Sequence, residues 1–348
     1  MNDFNVSCPI PVKDYPYVLL SHGSGGKLMY QLINKMFLKA FENDILLQGH
    51  DAAVLPAEAG ELAFTTDSYV VHPLFFPGGD IGSMAVYGTV NDLSMAGARP
   101  KYISVGFIIE EGLAMDTLWR IVQSMGQAAQ RVGVQIATGD TKVVDKGHGD
   151  GIFINTAGIG VLPANQAIGP GHIQSGDAII VSGDIGRHGI AIMSVRQGIA
   201  FETEITSDLA PLHRLVQSLL DAGLNIHCLR DLTRGGLATT LNEFARSSHR
   251  GMKIDENAVP VRQDVVNACE ILGFDPLQMA CEGRCVICVP QDQVEQTLAI
   301  CRDFPEGQSA SVVGRVIDSA PGQVVLQTPL GVDRLIDMPT GEQLPRIC

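Results

Sequence analysis

Strand and helix patterns interleave twice along this chain, before and after a turn-rich stretch at 163–176 that contains Pro163, Gly169, Pro170 and Gly171. Such a chain must stack each sheet on its own helices, which restricts it to a two-layer α/β or α+β class. In the first half, 61–66, 102–109, 134–138 and 152–161 read as strands, and 49–55 runs into another. Helices at 81–96 and 115–132 alternate with them, and Leu28, Leu32, Ile33, Met36, Phe37 and Ala40 recur at helical spacing. The second half offers strands at 178–181, 284–289, 312–317, 324–327 and 333–336. Its helices fall at 209–220, 237–245, 265–272 and 294–301. With 348 residues the chain exceeds one ordinary domain and fits two. The expected division is an extension at 1–20, domains at 21–164 and 165–338, and a tail at 339–348.

Hydrophobic residues make up 45% of the chain, enough for a large core, yet no apolar run reaches the roughly 18 residues of a membrane span. Residues 1–20 lack an apolar signal core, so a soluble, cytoplasmic protein is expected. The net charge of −14 argues against nucleic acid and suits a site that gathers Mg²⁺. Eight cysteines occur without a paired framework, as in a reducing compartment. Cys281, Cys285 and Cys288 are spaced as if for a metal, but period two puts Cys285 and Cys288 on opposite faces of a strand. They are read as core.

Four features suggest chemistry. Ser21, His22, Gly23, Ser24, Gly25 and Gly26 open the first helix, where backbone N–H groups can face an anion. The stretch is neither a Walker loop nor a dinucleotide fingerprint. Asp67 and Asp140 end apolar strands, Asp51 precedes one, and Asp92 lies on an apolar helix. Hard oxygen ligands on separate elements suit Mg²⁺ with phosphate. Arg234, at a second glycine-rich helix start, adds a place for phosphate. Finally, the chain ends on the thiol of Cys348, behind an aperiodic run with Pro339, Gly341 and Pro345. Ten residues can stretch to about 35 Å, so this thiol is expected to swing between the protein's own cleft and an outside partner. Together these features point to an ATP-using enzyme.

Ser21–Gly26, Phe64-Thr65-Thr66-Asp67-Ser68, Asn91-Asp92, Thr138-Gly139-Asp140-Thr141-Lys142, Asp231-Leu232-Thr233-Arg234-Gly235-Gly236 and Pro345-Arg346-Ile347-Cys348 together resemble the HypE family of hydrogenase maturation factors. That family lies within the aminoimidazole ribonucleotide synthetase (PurM-like) superfamily. The resemblance spans about 21–348, and the last four residues are its most specific part. It implies a homodimer whose N-terminal mixed sheets join into a barrel, an α/β C-terminal domain, and ATP bound between elements of both domains. It implies that Cys348 is carbamoylated by HypF and the thiocarbamate dehydrated to a thiocyanate with ATP. The cyanide then passes to iron on HypC–HypD.

Carried onto this chain, the nucleotide contacts are Ser21 to Gly26, Asp67, Asn91, Asp92, Thr141, Thr233 and Arg234. The Mg²⁺ ligands are Asp67, Asp92 and Asp140, with Asp51 a weaker fourth. Glu282 is the candidate base and Lys142 its charge partner or proton relay. His22, His188 and His227 are alternatives, each better suited to a structural role. The chain departs from the family pattern at His50, where a further Asp is usual, at Leu232, which replaces a usual Pro, and in residues 1–20. Two rival readings stay open. One is a superfamily kinase or synthetase of the thiamine-phosphate kinase or selenophosphate synthetase type. The other is a non-catalytic docking protein with a peptide tail.

Overall fold

The structure, a computed structural model, describes residues 15–48, 52–163, 167–198, 204–338 and 347. Among the sites expected above, Asp51, His50 and Cys348 lie outside the described residues, as do 1–14 of the extension and 339–346 of the tail.

The first domain is a four-stranded sheet covered by helices on one face. Its strands are β1 (Glu61–Tyr69), β4 (Arg99–Glu110), β5 (Gln135–Val144) and β6 (Ile152–Leu162), in the order β1-β6-β4-β5. A two-residue hairpin, β2 (Phe75–Phe76) and β3 (Gly79–Asp80), precedes the long helix. The covering helices begin with α1 (Lys27–Leu32) and α2 (Leu38–Phe41), joined through a π turn at Ile33–Phe37. They continue with α3 (Ile81–Met95) and α4 (Met115–Val132). Leu32, Met36 and Phe37 meet Val105, Phe107 and Leu118 in one cluster, as the helical spacing predicts. Helix α3 is capped by Asp80, whose Oδ1 accepts from Gly82 N at 2.8 Å and Ser83 N at 3.0 Å. Asp80 Oδ2 accepts from Ser124 Oγ at 2.6 Å, so the cap also ties α3 to α4.

The second domain is a seven-stranded sheet in the order β13-β12-β9-β11-β7-β10-β8. Its strands are β7 (Ala178–Val181), β8 (Cys228–Asp231), β9 (Gly251–Asp255), β10 (Cys285–Val289), β11 (Ser311–Ile317), β12 (Val324–Gln327) and β13 (Asp333–Ile336). Helices cover both faces: α5 (Arg187–Gln197), α6 (His213–Asp221), α7 (Gly236–Ser248), α8 (Gln263–Leu272) and α9 (Val294–Arg302). Alternate residues of β7 and β10 feed different cores. Ile180, Cys285 and Ile287 pack with Leu215 of α6 and Leu298 of α9. Ile179, Val286 and Cys288 pack with Leu241 and Phe244 of α7. The opposite-face placement of Cys285 and Cys288 is thus observed, and Cys281 is buried too.

The domains share side chains. Met95 of α3 belongs to a core cluster of the second domain. Asn91 of α3 donates through Nδ2 to Ala210 O at 3.1 Å and Glu282 O at 3.4 Å, and its Oδ1 accepts from Leu212 N at 2.7 Å. A helix enclosed this way has no solvent side, which explains why α3 is apolar nearly all round.

Some expectations need correcting. Residues 52–60 form no strand. Asp67 and Asp140 lie inside β1 and β5 rather than at strand ends. Strands β8 and β9 had no sequence signal: each is four or five residues long and carries charged positions. Among the described residues no helix is long and apolar enough to cross a membrane.

Candidate active site

The sheet register decides which carboxylates meet. Along β1, Ala63, Thr65, Asp67 and Tyr69 turn toward the helices, while Leu62, Phe64, Thr66 and Ser68 face away. Asp67 pairs with Thr156, which pairs with Val105, which pairs with Gly139. Asp140 belongs to the next row, with Gly106, Asn155 and Ser68, and therefore projects from the opposite face. Lys142 lies two residues on and shares that outer face. A concavity of about 310 Å³ there is lined by Ser68, Ile108, Asp140, Lys142, Phe153 and Asn155, among others. Within one chain, Asp67 and Asp140 do not form the single acidic cluster their sequence settings suggested. Lys142 does not accompany Glu282 either, for the same reason. β1 and β5 also stand three strand spacings apart, about 14 Å.

What the fold does assemble is a group at the domain joint. Thr65 Oγ1 donates to Asp92 Oδ2 at 2.9 Å. Arg234 Nη2, from the turn between β8 and α7, reaches Asp67 Oδ1 at 3.7 Å. Burial, then the neighbouring Asp67, raises the proton affinity of Asp92. Asp231 ends β8 behind them. Burial and the Asp92 charge push its carboxyl up to about 7, against the pull of Arg230 and Arg234. Glu282 is 2% exposed, and its Oε1 has no hydrogen-bond partner among the described residues. Burial is the main cause that holds this carboxyl well above its ordinary range, and Asp231, Asp208, Asp67 and Asp92 add to it. The position of Glu282 is set from behind: its N donates to Asp208 Oδ1 at 3.2 Å. A Cβ on Gly283 would lie 2.1 Å from Asp208 O, so residue 283 has room only for glycine.

A second group sits at the β5 edge. The Ser21–Gly26 stretch turns against β5, and a Cβ on Gly23 would lie 2.4 Å from Val143 N. Gly25 (φ +81°) and Gly26 have open space around them, and Ser21 and Ser24 are exposed. Thr141 is buried on the inner face, and its N donates to Asp140 Oδ1 at 2.8 Å.

The remaining expected residues divide plainly. Asn91 is taken up by the backbone of the domain joint, so its amide serves docking rather than a nucleotide. Thr233 is half-buried in the Arg234 turn. His22 is buried, with Nδ1 accepting from Leu19 N at 2.9 Å, and burial holds it below its ordinary pKa. His227 is bonded at both ring nitrogens, to Asp177 Oδ2 at 2.7 Å and Asn225 Nδ2 at 3.0 Å. Both are structural. His188 is different: its Nε2 meets Ile347 O at 2.9 Å, and Ile347 is only 7% exposed. Sequence reasoning did not single out Thr65, Ser207, Asp208 or Asp231 as site residues. Thr65 and Asp231 stood inside the quoted motifs, whereas Ser207 and Asp208 carried no signal.

No group of three or more His, Cys, Asp or Glu among the described residues has metal-holding geometry. Asp67 and Asp92 are two carboxylates beside Arg234. That donor set fits Mg²⁺, which is commonly held by one or two carboxylates together with substrate phosphates and water.

Residues 49–162 match the N-terminal domain of AIR synthase related proteins, and 174–327 match their C-terminal domain. The carbamoyl dehydratase HypE of Azotobacter vinelandii is 49% identical over 331 residues, covering 95% of this chain and 97% of that protein. A crystal structure of the hydrogenase maturation protein HypE in complex with ATP superposes with a TM-score of 0.92 at 51% identity, covering 95% and 99% of the two chains. A HypE–HypF complex structure matches with a TM-score of 0.78 at 45% identity, covering 90% of this chain and 100% of that one.

Proposed function

The chain belongs to the HypE family of hydrogenase maturation carbamoyl dehydratases, and on that premise we propose that it uses ATP to convert a carbamoyl group on Cys348 into a thiocyanate. The observation that carries this reading is the burial of Ile347 against His188. It seats the residue before Cys348 on the wall that leads through Ser207 and Asp208 to Glu282. A kinase or synthetase acting on a free small molecule leaves that docked residue without a purpose.

Removing water from S–C(=O)–NH₂ means expelling an oxygen that leaves poorly. Transfer of the ATP γ-phosphoryl group to that oxygen makes it a phosphate leaving group. Loss of phosphate with both N–H protons then forms the C≡N bond, so thiocarbamate and ATP become thiocyanate, ADP and phosphate. Phosphoryl transfer needs positioning and positive charge more than covalent help. Asp67 and Asp92 would hold Mg²⁺, which when bound supplies charge to the phosphates, and Arg234 adds a cation on the same side. Glu282 takes a proton from nitrogen. It acts from its carboxylate form, and the proton affinity that burial raises suits a base.

Homodimerisation completes the reading. Leu62 and Phe64 on the outer face are 65% and 70% exposed, and Ile108 is 45% exposed. A second copy covering this face would shield them and bring the Asp140–Lys142 face of one chain to the other. The carbamoyl donor is HypF, the partner named for the related complex, and the cyanide acceptor is the HypC–HypD pair. Intact-mass spectrometry with HypF, carbamoyl phosphate and ATP tests the function. The mass is expected to rise by one carbamoyl group and then fall by one water, both mapping to Cys348. No change, or a change mapping to another cysteine, overturns it.

A further inference from the structure

His188 stands second in α5 and is fully buried where the two domains meet, edge-on to Phe76 with ring centroids 5.3 Å apart. Nothing in the proposed chemistry uses it. Its two ring nitrogens nonetheless have definite partners: Ser207 Oγ at 2.8 Å on Nδ1 and Ile347 O at 2.9 Å on Nε2. A carbonyl only accepts, so Nε2 carries the proton. Burial holds the imidazole below its ordinary pKa, and in the neutral ring Nδ1 then accepts from the Ser207 hydroxyl. Ser207 Oγ in turn accepts from Leu209 N at 3.0 Å. The chain Leu209 N–H, Ser207 O–H, His188 Nε2–H and Ile347 C=O fixes one tautomer and ends on the tail.

We infer that His188, oriented by Ser207, is the positioning residue that sets the register of the docked tail for dehydration. The inference rests on the reading of Cys348 as the carbamoyl carrier. The bonded oxygen belongs to the peptide group that joins Ile347 to Cys348. That group is planar, so holding its oxygen fixes the direction in which the next residue leaves. The Ile347 side chain supplies the second point of fixation, buried in the same cluster as Phe76, Ile192, Met193 and Ala280. The apolar anchor and the held peptide plane thus fix Ile347 at two points. His188 is also linked to the candidate base through this wall, because Asp208 follows Ser207 and its Oδ1 accepts from Glu282 N. His188 touches no reacting atom in this arrangement.

Two measurements test it. The first is alkylation of the unmodified protein with iodoacetamide, followed at the C-terminal peptide by mass spectrometry. Loss of one buried hydrogen bond costs about 1.4 kcal/mol, a factor of about ten. His188→Ala is therefore expected to expose Cys348 to alkylation about tenfold faster, with ATP affinity within about twofold of wild type. The second is single-turnover dehydration of the carbamoylated protein, expected to slow about tenfold or more in His188→Ala. Ser207→Ala keeps the ring and removes its orientation, and a smaller loss in the same direction is expected. Ile347→Ala combined with His188→Ala should lose less than the product of the two single effects, because both act on one docked state. Should His188→Ala fail to fold, Ser207→Ala and Ile347→Ala carry the same test. Unchanged alkylation and dehydration rates in these variants overturn the inference. If alkylation responds as expected while no variant, wild type included, dehydrates a carbamoylated tail, the proposed function falls and the docking role stands.

Discussion

At the residue scale, the joint group separates binding from chemistry. Asp92 is partly buried, hydrogen-bonded to Thr65, and shares its surroundings with Asp67. On the proposed function its carboxylate would face the metal, so Asp92→Asn is expected to weaken Mg·ATP binding by about 100-fold, roughly the 2.7 kcal/mol of one strong charge-assisted contact. Calorimetry that finds unchanged affinity removes Asp92 from the site. Glu282 behaves differently. Burial, with four surrounding carboxylates, raises the proton affinity of its carboxyl. Glu282→Gln keeps the shape of the side chain and removes its ability to take a proton, so the fold and ATP binding should persist. Dehydration should slow by about 10² to 10⁴, the usual worth of a general base. Carbamoylation by HypF followed by normal single-turnover dehydration would show that the base lies elsewhere.

At the element scale, two features tie local chemistry to stability. His213 is the first residue of α6, where the positive end of the helix dipole opposes a charged imidazole. Its Nδ1 is buried without a hydrogen-bond partner among the described residues. Burial, then the neighbouring Arg214, lowers its pKa to about 4. The unfolded chain, with a His near 6.5, therefore binds more protons than the folded one between pH 6.5 and 4. Stability should be lost as pH falls through that window, and His213→Asn should remove this component. Urea titrations at pH 7 and pH 5 measure it, and an equal loss in both proteins would refute the assignment. The turn entering β10 is the second feature. Gly283→Ala would drive a methyl group into the Asp208 carbonyl, costing about 1–3 kcal/mol by overpacking. A drop in melting temperature of a few degrees is expected, together with slowed dehydration, because Glu282 moves with its neighbour.

At the scale of the whole molecule, the site residues form two groups in one chain. Asp67, Asp92, Asp231, Arg234 and Glu282 gather at the domain joint. Ser21–Gly26 and Thr141 lie at the β5 edge, and Asp140 and Lys142 face outward there. The outer face between β1 and β5 is apolar at Leu62, Phe64 and Ile108. If this face is the dimer interface proposed above, charged replacements on it, Leu62→Glu with Phe64→Glu, should give a monomer by light scattering while leaving each domain folded. Dehydration should fall with dimerisation if the outward-facing pair acts on the partner's site. A variant that stays dimeric places the interface elsewhere.

Much was legible in the sequence because the signals were local. Helix α4 runs from Met115 to Val132 as its stripe of apolar residues required, and Gly133 closes it in the left-handed conformation. The strand at Ala178–Val181 and the opposite faces of Cys285 and Cys288 follow from period-two patterning alone. The tertiary structure decided which of these pieces meet. Asp67 and Asp140 occupy similar settings in sequence, yet adjacent rows of one sheet point them to opposite faces. That parity depends on the pairing register of four strands, to which no single strand testifies. Asn91 stands beside Asp92, yet helical geometry turns one to the second domain's backbone and the other to Thr65. Ser207 and Asp208 sit in a loop without periodicity, and they matter only because the fold sets them between His188 and Glu282. The types of chemistry available were written in local residue patterns, while register, helix rotation and domain docking determined their neighbours, because those depend on contacts between residues far apart in the chain.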